Sequence, residues 1–522
     1  MPLARLTRIT SPWWFLVLLV TLVISILPLS ALFKPLFDGS SLQTLLDPRI
    51  QNLLKDTAQL SGTAAALAFL VGLPYAILVW RFQIPGAFYF KLCAPLPLLL
   101  PPLLLAQAWH GLTGWDTAWM TSFTLGLAYA PLPALLAARS LQNQSAASHE
   151  AALLAGGPRR ALWEMLRTAI PGAVFGSSLV FIFTSTDFAV PDYFATVGDK
   201  FSVYAAEVFH QFRDQDWTAG ARASVPLVLL GLIVLAGSMQ VERKWGAPDF
   251  GTGRRAKPLR LTKKYYRIGA TLLALIGALF LLLLPLSRIL WETGAGGPLS
   301  DGTWLSRSAE GFSAAFNRGR ADLLRSLGIG LAAGGITLVL APFWAHKLLH
   351  SSSRKKQFIL LFLSLPLLTP ALGLGISAIY VFNQSSSHFF YSSIGLPILV
   401  YAGRFLPIAV FLLHERFRRN PPEQEEAATL AGVSLITRIF RYHVGPHKAA
   451  WLLAGALVLA FSVRELDLAI LLPASNASAA VRYFNALHFA RDNFVAAFGI
   501  LMILILFLPL MIYAAFHRAR HD

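Results

Sequence analysis

Twelve runs of predominantly apolar residues, each close to the length that crosses a bilayer, constrain this chain more than any other feature. A helix needs about 20 such residues to traverse the hydrocarbon core, because each adds about 1.5 Å of rise. The first six runs fall near residues 13–33, 60–80, 88–109, 121–138, 169–190 and 225–239, and the second six near 268–291, 327–349, 358–382, 394–414, 449–472 and 494–516. Lipid offers no partner for an unpaired backbone group, so runs of this length are expected to be helices. The predicted class is an all-α membrane protein of about twelve transmembrane helices. Composition agrees: 56% of residues are hydrophobic and 13% charged, against roughly 25% charged in a soluble domain. The net charge of +18 would suit nucleic acid if it lay along one exposed stripe. Instead Lys and Arg sit in short segments between the apolar runs, and most fall on the side shared with the N-terminus. Both termini are therefore expected in the cytoplasm, with no nucleic-acid partner. The first run lacks a small-residue cleavage site and is expected to be a retained helix.

The two halves of the chain carry the same markers in the same order at nearly constant separation. Pro97-Leu-Leu-Leu-Pro101 pairs with Pro366-Leu-Leu-Thr-Pro370, and Glu150-Ala-Ala followed by Gly156 pairs with Glu426-Ala-Ala followed by Gly432. Asp187 pairs with Glu465, and Val203 with His210, Arg213 and Asp214 pairs with Val481 with His488, Arg491 and Asp492. Ordered markers of this kind point to duplication and fusion. The predicted units are residues 1–242 and 268–522, each with six spans, joined by a basic cytoplasmic linker over 243–267 that contains Gly and Pro. An even number of spans gives both units the same orientation and a pseudo-twofold axis along the membrane normal, with a path between them.

Between the fourth and fifth runs of each unit lies a polar segment, HEAALLAGGPRRALWEMLRTAIP from His149 and EEAATLAGVSLITRIFRYHVGP from Glu425. Each predicts a short helix opening on Glu-Ala-Ala, a glycine that ends or bends it, and a proline at the start of the next span. Small residues let such a helix seat closely in a partner's groove, and the acid at its N-terminus suits the helix dipole.

Both segments resemble the Glu-Ala-Ala loop of binding-protein-dependent ABC importer permeases, and the chain is similar to two fused type I permease units. The resemblance implies that Glu150, Ala151, Ala152, Gly156, Glu426, Ala427, Ala428 and Gly432 couple to two cytoplasmic ATPase subunits, in a bacterial cytoplasmic (inner) membrane. It further implies an extracellular or periplasmic substrate-binding protein as partner. The chain contains no Gly-x-x-x-x-Gly-Lys-Ser/Thr loop, so it is expected to be non-catalytic and without a cofactor of its own, ATP and Mg being used by the separate ATPase. Arg464-Glu-Leu-Asp-Leu-Ala-Ile-Leu-Leu472 and Thr186-Asp-Phe-Ala-Val-Pro-Asp-Tyr-Phe194 resemble the ferric-iron members of this family, which makes ferric iron the expected substrate. Thiamine and aminophosphonate importers are the related alternatives, and a twelve-span secondary transporter the alternative from another class.

Ionisable groups at membrane depth are costly and face a cavity or one another. Asp187, Arg404, Arg464, Glu465 and Asp467 are the residues so placed. Two readings remain open for them: a translocation path in which carboxylate oxygens suit a hard cation, or ion pairs that tie helices together. The paired prolines are likewise either gating kinks or breaks satisfied by neighbouring helices. His210 and His488 read as interfacial helix ends or as contacts for a partner or metal.

Overall fold

The structure is a computed structural model that describes residues 12–32, 47–213, 217–245, 258–261, 263–296, 301–473, 478–488 and 492–518. Among the described residues the regular elements are all helices, apart from an isolated bridge that pairs Phe82 with Leu259 within the linker. In chain order the long elements are α1 (Pro12–Leu32), α2 (Pro48–Arg81), the bent pair α3 (Ala87–Leu99 with Pro102–Thr113), α4 (Ala118–Gln142), α5 (Ala146–Thr186) and α6 (Ala219–Lys244). They continue with α7 (Lys264–Glu292), α8 (Trp304–Leu349), the bent pair α9 (Ser353–Leu368 with Ala371–Phe382), α10 (Gly395–Phe417) and α11 (Leu435–Arg464). The last is α12 (Asp492–Arg518). Each of the twelve apolar runs overlaps one of these elements. Among the described residues nine are long and apolar enough to cross a membrane unbroken, or up to eleven with the two bent pairs, and the apolar stretch Asn493–Phe507 of α12 is shorter. The protein is an all-α, multi-pass membrane protein.

The proline pairs locate the sharpest bends. α3 turns through 102° between Leu99 and Pro102, and α9 through 88° between Leu368 and Ala371, where Pro cannot donate to the preceding turn. Milder adjustments occur in α1 and α7, where π-helical turns at Leu22–Ile26 and Leu279–Leu283 precede Pro28 and Pro285. A wider turn absorbs the hydrogen bond that proline removes.

Burial separates central helices from peripheral ones. The apolar stretches of α4 and α10 are 78% and 72% buried, those of α1 and α7 only 39% and 33%. α4 packs with α2 and α5, and α10 packs in the same way with α8 and α11. The outermost helices cross over: α1 lies against α8, α9 and α10, whereas α7 touches α2, α3 and α12. Without a strong hydrophobic force between helices in lipid, close approach at small residues and buried hydrogen bonds hold such contacts. For α1 these are the Trp344 indole N–H donating to Thr21 Oγ1 at 2.9 Å and the Ala31 N–H donating to Ser377 Oγ at 3.2 Å. Gly403 of α10 lies directly under α1, where a Cβ would run into the Ile24 carbonyl. Gly403→Val is therefore expected to displace α1 at a cost of about 1–3 kcal/mol, the usual penalty of overpacking. Thermal unfolding in detergent should show this as a lowered midpoint; an unchanged midpoint would mean that α1 is not seated there.

Candidate functional site

Two features stand out: a charged cavity between the central helices, and two polar knobs at one end of the bundle.

The cavity forms where α5 and α11 break. α5 ends at Thr186 and the chain restarts as the short helix Ala189–Val197; α11 ends at Arg464 and restarts as Asp467–Leu471. Asp187 and Glu465 occupy the two breaks with extended backbones, at φ −75° and −69°. Each caps the helix that follows it. Asp187 Oδ1 accepts from the Val190 N–H at 3.0 Å and Glu465 Oε1 from the Leu468 N–H at 3.4 Å. The two acids paired by the sequence markers thus have the same local role. Asp467 reaches across to accept the Phe188 N–H at 2.9 Å, tying one break to the other.

Asp187, Arg404, Arg464, Glu465 and Asp467 all line a single cavity of about 70 Å³. The arginines answer the question left by the paired prolines. Arg464 Nη1 donates to the Leu98 and Leu100 carbonyls, and its Nη2 to the Tyr129 hydroxyl at 3.0 Å. Arg404 Nη1 donates to the Pro366 and Thr369 carbonyls at 3.0 and 2.9 Å. Each buried guanidinium satisfies carbonyls that a bend in α3 or α9 has released, as irregular backbone at membrane depth requires. Arg404 Nε also lies 3.7 Å from Glu465 Oε2. The helix-tie reading is therefore present in the geometry, and the same residues also face the cavity.

Four rings close the cavity toward the knobs. Tyr129 stacks on Phe183 at 5.3 Å between centroids, Phe405 lies against Phe461 at 5.5 Å, and Phe183 meets Phe461 at 6.4 Å. Phe183 and Phe461 each lie one helical turn before Asp187 and Glu465. Sequence reasoning missed this quartet, since aromatic residues within an apolar run give no contrast.

The first knob is the start of α5. Its helix is interrupted at Gly156 and Gly157, and only Gly157, at φ 66°, takes the left-handed conformation; Gly156 is extended at φ −169°. The break expected at Gly156 is present, and it extends to Gly157. The second knob is the short helix Pro422–Leu430, ended by Gly432 at φ 73° as expected. Glu150, Ala151, Glu426 and Ala427 are exposed, Ala152 is half-buried, and Ala428 packs inward. Both knobs present a bare leucine at the same place after Glu-Ala-Ala: Leu154 is 90% exposed and Leu430 87%. Nearby, Arg139 of α4 and Glu415 of α10 pair at 2.5 Å.

Glu425, one residue before the Glu-Ala-Ala of the second knob, is buried between His346 Nε2 and His443 Nε2, each 2.9 Å away, and also meets Arg438 Nη1 at 3.0 Å. Burial alone would raise its pKa, but the hydrogen bonds and charge of the two histidines outweigh it and hold the carboxyl well below the usual carboxylate range.

At the opposite end, His488 Nε2 lies 4.0 Å from Asp192 Oδ2, and His210 is exposed. Asp214 and Arg491 lie outside the described residues, as do the side chains of Arg213 and Asp492 and most of the 243–267 linker. No family model matches the sequence, and comparison with curated proteins gives no match.

Proposed function

We propose that this chain is the permease subunit of an ATP-driven importer for ferric iron, with twelve spans in two fused six-helix units and both knobs in the cytoplasm. One observation carries the reading: two helical segments, beginning at Ala146 and Pro422, each carry Glu-Ala-Ala in their second turn, break at a glycine of positive φ, and hold an almost fully exposed leucine at the matching position. One exposed leucine would be ordinary, but two at matching positions of a repeated motif suit a two-subunit partner such as an ATPase dimer. ATP-driven closure of that dimer would move the knobs and, through α5 and α11, rock the two units about the aromatic quartet. The ring quartet then acts as the cytoplasmic gate, and the acids beyond it as the last polar surface before the gate. Carboxylate oxygens suit a hard trivalent cation, which favours iron over an organic substrate.

The test is ATP hydrolysis by this chain reconstituted with a candidate ABC ATPase, in the presence of ferric-loaded, thiamine-loaded or empty binding protein. Stimulation by the ferric-loaded form alone is expected. Stimulation by the thiamine-loaded form would keep the importer and remove iron. Failure of any ATPase to associate, together with uptake driven by an ion gradient, would replace this reading with a secondary transporter.

A further inference from the structure

We propose that His346, Glu425 and His443 form a binding site for a divalent transition metal at the root of the second knob. The three residues come from separate parts of the chain: the end of α8, the short helix Pro422–Leu430, and the π-helical turn Arg438–Val444 that opens α11. All are buried, and their ligand atoms lie within 4.8 Å of one another. Two imidazoles and one carboxylate make a borderline donor set that suits Zn²⁺, Fe²⁺ or Co²⁺, and their convergence leaves further positions for solvent. A π-helical turn is rare and frequently marks a functional position; here it turns His443 toward Glu425.

Both imidazoles hold Glu425 through Nε2, His346 on Oε1 and His443 on Oε2. Metal binding needs those Nε2 lone pairs, so each ring keeps its proton on Nδ1 or releases it to solvent. The surroundings can support that tautomer at His443, because its Nδ1 lies 3.1 Å from the Asn420 side-chain amide. Turning that amide over presents its oxygen to an Nδ1–H, the outer partner that ligating histidines require, in exchange for its present bonds to the Tyr442 carbonyl and His447 Nε2. Arg438, 3.0 Å from Glu425 Oε1 and also bonded to Thr429 Oγ1, now supplies the positive charge beside the carboxylate. Its side chain is 19% exposed, so it has a route outward when a metal takes its place.

The site is not a general requirement of such a knob. At the position matching Glu425 the first knob has His149, neither of whose ring nitrogens has a hydrogen-bond partner among the described residues. An occupied site would clamp the helix bearing Leu430 to α8 and α11, making one knob responsive to metal and the other not. This consequence rests on the importer reading; the site itself does not.

The experiment is titration of the full chain in detergent micelles with Co²⁺, followed by visible absorption, using protein purified without a polyhistidine tag. The expected result is one equivalent of four- or five-coordinate Co²⁺, displaced by Zn²⁺. His346→Ala and His443→Ala are each expected to weaken binding by at least about 10- to 100-fold, the loss seen even for outer-shell partners. The exposed His388→Ala should leave it unchanged. Spectra that stay those of the hydrated ion with the unsubstituted protein would overturn the proposal whether or not the variants fold, as would binding that survives both substitutions. No ATPase is present, so this failure is separate from failure of the importer reading.

Discussion

Replacing both Leu154 and Leu430 with Asp is expected to abolish association with the ATPase and reduce uptake to background, while the chain still inserts and unfolds at its usual temperature. Both side chains are almost wholly exposed, so their removal takes nothing from the packed bundle, and surface changes of this kind usually shift stability by no more than about 0.5 kcal/mol. In the proposed complex each leucine enters a groove of one ATPase subunit, where burial contributes about 1.5–3 kcal/mol. Two such contacts in one assembly amount to about 3–6 kcal/mol, or roughly 100- to 10,000-fold in affinity. A carboxylate left in an apolar groove adds a further penalty. Co-purification measures this directly. Each single variant should give an intermediate loss, since in the proposed complex each knob meets its own ATPase subunit. Full association of the double variant would show that the knobs are not the docking points.

Hydropathy located the helices because lipid imposes one requirement, a long apolar run, that the order of residues displays directly. The Pro97/Pro101 and Pro366/Pro370 pairs placed the breaks in α3 and α9, but bends of 102° and 88° and the arginines that serve them depend on which helices become neighbours. Arg464 and the Leu98 carbonyl are far apart in sequence, and no local pattern joins them. At the first knob the Glu-to-Gly spacing pointed to Gly156, where the helix does break, but not to the positive φ at Gly157; with two adjacent glycines either can take that conformation, and spacing alone does not choose. The contact of His346 with Glu425 and His443 was invisible for a different reason from the aromatic quartet. Its members come from three separate elements, and each alone is an ordinary residue near the end of a helix. The matched caps made by Asp187 and Glu465 are the exception, because the order of the markers paired them before any geometry was known.

Arg464→Met is expected to be the most damaging single change in the membrane interior. Methionine keeps much of the arginine's length and apolar stem, so the loss isolates the guanidinium. That group is buried and donates to two carbonyls of the α3 break and to the Tyr129 hydroxyl, and it lies over the Phe461 ring at 4.7 Å. Its removal leaves the released carbonyls without a donor at a depth where water does not replace it. A buried acceptor so abandoned costs about 1–3 kcal/mol. The carboxyls that line the same cavity also lose a cation from its wall, which adds to the cost. A loss of this order should appear as a clearly lowered unfolding midpoint in detergent, with poor recovery from membranes. Arg464→Lys should recover part of it, because an ammonium keeps the charge but lacks the planar fork that spans both carbonyls. If Arg464→Met instead unfolds normally and fails only in transport, the arginine acts on the passing substrate, and the bend in α3 is held by packing of its own.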